Sequence, residues 1–314
     1  MAGTWTTWIS RVVTCLLVGA SAAPGVATPW AHAGPLGHIP AAQIDFGGMI
    51  RTYQLHLPPG PDKPAGLVVN LHAAGLTGAD QAALTHYDSV ADAHGFAVVY
   101  PDGIDRSWAD GRGASVPDRQ GVDDVGFITT LVDRLVTDFA IPRDRVFATG
   151  LSAGAFMANR LACDRADLFS AIAPVAGTLG ANVGCRPSQP VSVLAMYGTA
   201  DPIVPFGGGV MNGRGGSSTV LSAAELVDRW RGLDGCTNNP VPETLPAVGD
   251  GTTTERLTYG PCAAGTDVVF MRVVNGGHTW PGAPEVLPAQ QVGLPIRGFD
   301  ASQLSMQFFE THER

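Results

Sequence analysis

The segment "VFATGLSAGAFMANRL" (residues 146–161) joins a short apolar run to a helix-like stretch through a Gly-Ser-Gly cluster. The pattern Gly-x-Ser-x-Gly is weak evidence in a chain of 314 residues that holds 40 glycines. Its placement gives it weight. "RVFATG" (145–150) has the form of a buried strand, and Ala153, Met157 and Leu161 recur four apart, as on one face of a helix. A serine at that junction, with glycine at 150 and 154, fits the sharp strand-to-helix turn called a nucleophile elbow. Such a turn crowds neighbouring backbones against the strand, which is why it needs glycines. The helix N-terminus then presents unpaired N–H groups and a positive dipole end to a developing oxyanion.

Apolar runs and helical patterns alternate on both sides of this segment. "MIRTYQLHLP" (49–58) alternates apolar and polar residues, as a half-exposed strand does. "GLVVNLH" (66–72), "FAVVYP" (96–101), "VSVLAMYG" (191–198) and "VVFMRVV" (268–274) are the short apolar runs of buried parallel strands. Helices are expected over 79–94, 123–139, 153–163 and 221–233, and near 300–311. In the second of these, Val125, Ile128, Leu131, Val132 and Leu135 make one apolar face. The alternation predicts an α/β fold, a mostly parallel central sheet with helices on both faces. Ligands bind such sheets outside the carboxyl ends of the strands. The loops after residues 72, 101, 150, 198 and 274 should therefore share one edge.

A serine hydroxyl needs a base, usually histidine. In this topology the chain order is serine, acid, histidine. Only His278 and His312 follow Ser152. His312 sits in the terminal "ETHER", whereas His278 follows a strand directly in "NGGHTWPG", at the expected edge. Between Ser152 and His278, Asp201 stands just past the strand 191–198 and before Pro202. There it would accept the Nδ1 proton of His278 and free Nε2 for Ser152; the alternative is an Asx-turn aspartate. Ala153 would supply one oxyanion N–H, and the loop "HAAGLTG" (72–78) a second, from Ala74. His72 precedes Ser152 and reads as an orienting residue. Trp108 and Trp280 are candidates for substrate contact or for the core, and Asp123 and Asp124 for substrate binding or for capping the helix at Val125. The Gly-rich "GGGVMNGRGG" (207–216) reads as a flexible flap near the site mouth.

The rest of the chain sets limits. A formal charge of −9 and a pI near 5.2 argue against nucleic acid and anionic lipid as partners. "VVTCLLVGASAA" (12–23) after Arg11 is too short to span a bilayer and reads as a secretory signal peptide. Cleavage after Ala22 or Ala33 would leave a mobile segment, 34–44, before one catalytic domain, 45–314, with no transmembrane segment. An exported chain with Cys163, Cys185, Cys236 and Cys262 implies disulfides. Of three connectivities, sequence order favours Cys163–Cys185 and Cys236–Cys262, each closing a local loop. No C-x-x-C or H-x-x-x-H spacing suggests a metal site.

The set "LHAAG", "PDG", W-x-D-G-R (108–112), "DDVGF" (123–127), "GLSAG", "YGTADPIVPF" and "GGHTWPG" resembles the secreted LpqC-type polyhydroxybutyrate depolymerase and feruloyl esterase family of α/β-hydrolases, over roughly residues 45–312. The resemblance implies an α/β-hydrolase fold and hydrolysis of small or polymeric carboxylic esters through an acyl-enzyme. It implies no metal or organic cofactor. Carried over by motif, Ser152 is the nucleophile, Asp201 the acid, His278 the base and His72–Gly75 the oxyanion loop. The chain departs from the family at Ala73, where glycine is usual; alanine at a positive φ would cost on the order of 1 kcal/mol. Acyl transfer to a cell-envelope acceptor and a catalytically silent binding protein are the rival readings.

Overall fold

The computed structural model describes residues 38–60, 63–284 and 287–314. The leader expected over 1–33, with its two cleavage sites, and residues 34–37 lie outside these. Twelve strands run in chain order: β1 His38–Phe46, β2 Met49–His56, β3 Leu67–Leu71, β4 Ala97–Pro101, β5 Val146–Leu151, β6 Ala171–Val175, β7 Ser192–Gly198, β8 Gly209–Gly213, β9 Gly216–Val220, β10 Val241–Thr244, β11 Thr253–Tyr259 and β12 Val268–Val274. The helices are α1 Gly78–Thr85, α2 Tyr87–His94, α3 Val116–Gln120, α4 Asp124–Asp138, α5 Ala153–Asp164, α6 Ala223–Leu233, α7 Ala289–Val292 and α8 Ala301–Glu310. Ten strands form one sheet in the order β1-β2-β4-β3-β5-β6-β7-β12-β11-β10, and β8 pairs with β9 as a separate hairpin.

The six central strands, β4 to β12 in that order, are mutually parallel, and antiparallel strands close both edges. Alternation within the buried runs divides the core in two. Leu67, Val69, Val146 and Ala148 point to one face, with Ile128, Leu131, Met157, Leu161, Leu226 and Trp230 from α4, α5 and α6. Val68 and Phe147 point to the other, with Tyr87, Val90 and Phe309 from α2 and α8. Phe147 stacks on Phe309 with ring centroids 4.7 Å apart. Both faces are covered, so these strands carry apolar residues at most positions, on both sides of the sheet. The carboxyl ends of β3, β4, β5, β7 and β12 share one edge, as the loop argument requires.

Three expectations need correction. Residues 38–44 are not a loose leader: they belong to β1, which extends the sheet by antiparallel pairing with β2. The helix expected over 79–94 is two helices, broken at His86 in the left-handed region (φ 48°), which caps α1 through its N–H on Ala82 O. The break turns Tyr87 so that its hydroxyl meets Ser305 Oγ of α8 at 2.9 Å. Strand β6 was not expected, because it is five residues long and carries Pro174, a residue that cannot donate to a ladder. The segment 207–216, expected as a flap, supplies β8, the turn and the first residue of β9 in an antiparallel hairpin.

Both disulfides follow the local pairing, Cys163–Cys185 and Cys236–Cys262. Beside the second, Asp234 at the end of α6 is fully buried. Its Oδ1 accepts from Val191 N–H at 3.0 Å, while Oδ2 has no donor among the described residues. Burial pushes this carboxyl up from 3.8 to about 7. Between those values the native state keeps a proton that the unfolded chain has lost. The contribution of Asp234 to stability therefore falls as pH rises through that window, and is level above it. Asp234→Asn is expected to show a smaller drop in melting temperature between pH 5 and 8 than the native protein. Equal drops in the two proteins would show that Asp234 does not titrate there.

Candidate active site

Ser152 occupies the turn between β5 and α5 at φ 56°, ψ −115°, outside the regions that non-glycine residues favour. Such a conformation costs about 1–3 kcal/mol and persists only where the surroundings over-determine it. Here they do. Ser152 N–H donates to Val175 O of β6 at 2.9 Å, and its carbonyl accepts from Ala155 and Phe156 N–H at 2.9 and 3.0 Å. A Cβ on Gly154 would lie 2.0 Å from Leu71 O, and one on Gly150 would lie 2.6 Å from the same atom. The elbow is thus pressed against the end of β3, and glycine is required at both positions.

Asp201 follows β7 and divides its carboxylate between two tasks. Oδ1 accepts from Ile203 and Val204 N–H at 2.7 and 2.9 Å, the aspartate turn weighed from the sequence. Oδ2 meets His278 Nδ1 at 2.7 Å. Beside an ionised carboxylate, which only accepts, a neutral imidazole places its proton on Nδ1 and keeps the Nε2 lone pair. Ser152 and His278 line one cavity of about 380 Å³, together with Ala74, Ala153 and Trp280.

The two expected oxyanion donors also reach this cavity. Ala153 is the first residue of α5, so its N–H has no partner within the helix. Ala74 sits in a turn closed by Leu76 N–H on Ala73 O at 3.1 Å, with Gly75 at φ 88° in the position that calls for glycine. Neither Ala74 nor Ala153 N–H has an acceptor among the described residues. Ala73 does not take a positive φ, so alanine there carries no backbone strain.

His72 holds this loop from beneath. Its Nδ1–H donates to Ala73 O and its Nε2 accepts from Gly103 N–H, both at 2.9 Å. Burial lowers its pKa below the ordinary value, with the bond to Ala73 opposing. His72 is therefore a neutral brace. Trp108, read from sequence as a candidate substrate contact, belongs to the same brace. It is fully buried, its Nε1–H donates to His72 O at 2.9 Å, and it does not line the cavity. Trp280 does line it, with its Nε1–H on Ser302 Oγ at 3.1 Å. Asp123 caps α4 through Gly126 N–H, and buried Asp124 pairs with Arg51 at 2.7 Å.

The segment 207–216, expected near the site mouth, does line the cavity through Met211, Asn212 and Arg214 of the β8–β9 hairpin, whereas Phe156, from the second turn of α5, was not foreseen. Arg112 packs over the Phe156 ring, 3.6 Å from its centroid, and is held by Asp110 through Nε and NH2. Burial pushes the Asp110 carboxyl up, and the Arg112 charge opposes this. The W-x-D-G-R motif contains both partners, yet only the folded chain brings Phe156 beneath them.

A family model described as esterase PHB depolymerase matches residues 51–205. A protein of Nocardia uniformis subsp. tsuyamanensis named "Putative esterase NocK" is 32% identical over 280 residues, 85% of this chain and 81% of its own. The chain belongs to the esterase PHB depolymerase family. Feruloyl esterase D of Neurospora crassa is 30% identical over 288 residues, covering 85% of this chain and 89% of that one. An acetyl xylan esterase from Aspergillus awamori superposes with a TM-score of 0.56 at 18% identity, over 86% of this chain and 99% of that structure. The fold is that of the α/β-hydrolases, and this family member is a carboxylic ester hydrolase.

The contact at Leu71 O gives a direct test. Gly154→Ala is expected to destabilise the esterase by about 1–3 kcal/mol through overpacking. Gly232→Ala in α6, where a Cβ meets nothing within 4 Å, is expected to hold or raise the melting temperature. Thermal melts of the two variants read the difference, and equal melting temperatures would mean that the elbow tolerates a side chain.

Proposed function

We propose that this esterase cleaves its substrates through a Ser152–His278–Asp201 triad and an acyl-enzyme. The observation that carries the reading is the 2.7 Å Asp201–His278 contact, made where His278 and the strained Ser152 line one cavity. In the first half-reaction His278 Nε2 takes the Ser152 proton as Oγ attacks the ester carbonyl. The oxyanion that forms accepts from Ala153 and Ala74 N–H, for which no acceptor competes among the described residues. The intermediate then expels the alcohol, protonated by His278, and water repeats the sequence on the acyl-enzyme. Asp201 keeps the imidazole in the tautomer that allows this.

The cavity is lined mainly by apolar side chains, among them Leu84, Leu151, Phe156, Ile203 and Val292. That lining suits an apolar acyl or aromatic group beside the reacting carbonyl. Together with the relatives' names, it points to feruloyl, acetyl or hydroxyalkanoyl esters as the substrate class, with Trp280 as one contact. The signal-like N-terminus and two disulfides support export from the cytosol. From β1 onward the chain then acts as one catalytic domain.

Treatment with a fluorophosphonate, followed by intact mass and peptide mapping, is expected to show one adduct, on Ser152. A folded protein that takes no adduct would overturn the triad reading. Ser152→Ala is expected to lower turnover about 10⁶-fold and Asp201→Asn about 10⁴-fold. Loss of only a few-fold in either variant would place the chemistry elsewhere.

A further inference from the structure

The cavity is apolar beside Ser152 and cationic at one side. Among its described lining residues two carry a formal charge, Arg112 and Arg214, and none is a carboxylate. This is unexpected in a chain whose net charge is −9. Arg112 is already committed, because its side chain is 8% exposed and its guanidinium is bound twice by Asp110. Arg214 is not. It stands in the turn between β8 and β9 with its side chain 48% exposed, and the Asp105 carboxylate is 3.6 Å away and itself 41% exposed. A pair that long and that wet contributes little. An incoming carboxylate can replace it.

The position of Arg214 is nevertheless fixed by its backbone. Arg119 donates to Gly215 O, and Gly213 pairs with Gly216 across the turn. Gly215 lies so close to the 114–115 backbone that a Cβ there would come within 2.4 Å of Ala114 O. The Arg214 NH1 group lies 3.5 Å from where a Cβ on Gly75 would be. The guanidinium therefore stands beside the turn that presents Ala74 N–H, within the same site as Ser152.

We propose that Arg214 receives a carboxylate carried by the alcohol half of the ester, so that the enzyme favours esters of hydroxycarboxylic acids whose acid end is free. The inference rests on the ester hydrolase reading of Ser152 and adds the substrate's charge to it. During the first half-reaction the acyl group stays on Ser152 while the alcohol must leave toward solvent. Arg214 is at the solvent-exposed side of the cavity, and the apolar lining is left for the acyl group. A planar guanidinium matches a carboxylate with two parallel hydrogen bonds. The ester C–O bond breaks, His278 delivers its proton to the leaving oxygen, and the hydroxy acid departs with its carboxylate unchanged. Water then supplies the hydroxyl that frees the acyl group as an acid.

The test uses 4-acetoxybenzoate and its neutral counterpart 4-acetoxybenzamide, with kcat/KM measured for the native protein, Arg214→Gln and Arg214→Lys. The readout is the acid-to-amide ratio within each protein, which cancels general effects on catalysis. The ratio is expected to fall about tenfold or more in Arg214→Gln, and to recover in part in Arg214→Lys. Salt at about 0.5 M should lower the ratio of the native protein and leave that of Arg214→Gln nearly unchanged. Melting temperatures establish that the variants are folded. Hydrolysis of the amide ester with an unchanged ratio in Arg214→Gln would overturn the role of Arg214 alone. A native protein that cleaves neither ester would overturn the Ser152 reading, and this inference with it.

Discussion

The site depends on a backbone contact. The elbow at Ser152 and the end of β3 approach until Gly150 and Gly154 lie against the carbonyl of Leu71, with no room for a side chain on either. That contact does three things at once. It seats α5 on the sheet so that Met157 and Leu161 enter the core under β3 and β5. It forces Ser152 into a conformation that lifts its side chain out of the helix and into the cavity. It also sets the first turn of α5 beside the loop after β3, so that the N–H groups of Ala153 and Ala74 open on one space. The strain at Ser152, about 1–3 kcal/mol, is small against the apolar area buried by the two-faced sheet.

Around this contact the polar groups are placed by braces that take no part in chemistry. His72 and Trp108 form the clearest case. Both lie in motifs that suggest a function, yet both are buried and bonded so as to hold the loop from 72 to 76. A neutral histidine with each ring nitrogen occupied has no capacity to act as a base. Asp201 works differently. One of its oxygens shapes its own turn and the other holds His278, so a single side chain sets both where that imidazole lies and which tautomer suits it. Arg112 and Arg214 divide the same way, one spent on Asp110 and one left for a ligand.

The α/β class, the strand runs and the shared edge were legible in the sequence because buried parallel strands need apolar residues on both faces and helices repeat every three or four residues. The elbow was legible for a related reason: its glycines answer a steric demand between neighbours in sequence. Asp201 and His278 followed from chain order and from their positions just past strands. The local disulfides were favoured because each closes a short loop. These are properties of short segments, and a one-dimensional reading reaches them.

What the tertiary structure decided is of another kind. Whether Trp108 faces the cavity or the core depends on a hydrogen bond to His72, 36 residues away. Whether 79–94 is one helix or two depends on where α8 lies, since the break at His86 serves Tyr87 and its bond to Ser305, 218 residues on. β1 is a strand because β2 offers it an edge, and β6 is one, despite Pro174, because β5 and β7 flank it. The stretch 207–216 pointed to the site mouth, but which of its side chains join Phe156 in the cavity wall has no signature in any single stretch. Local propensity is a matter of a few tenths of a kcal/mol per residue, and long-range packing outweighs it wherever the two disagree. The sequence by itself determined the class of the fold and the chain order of its candidate site residues. Only the packing of distant segments decided which side chains face the cavity.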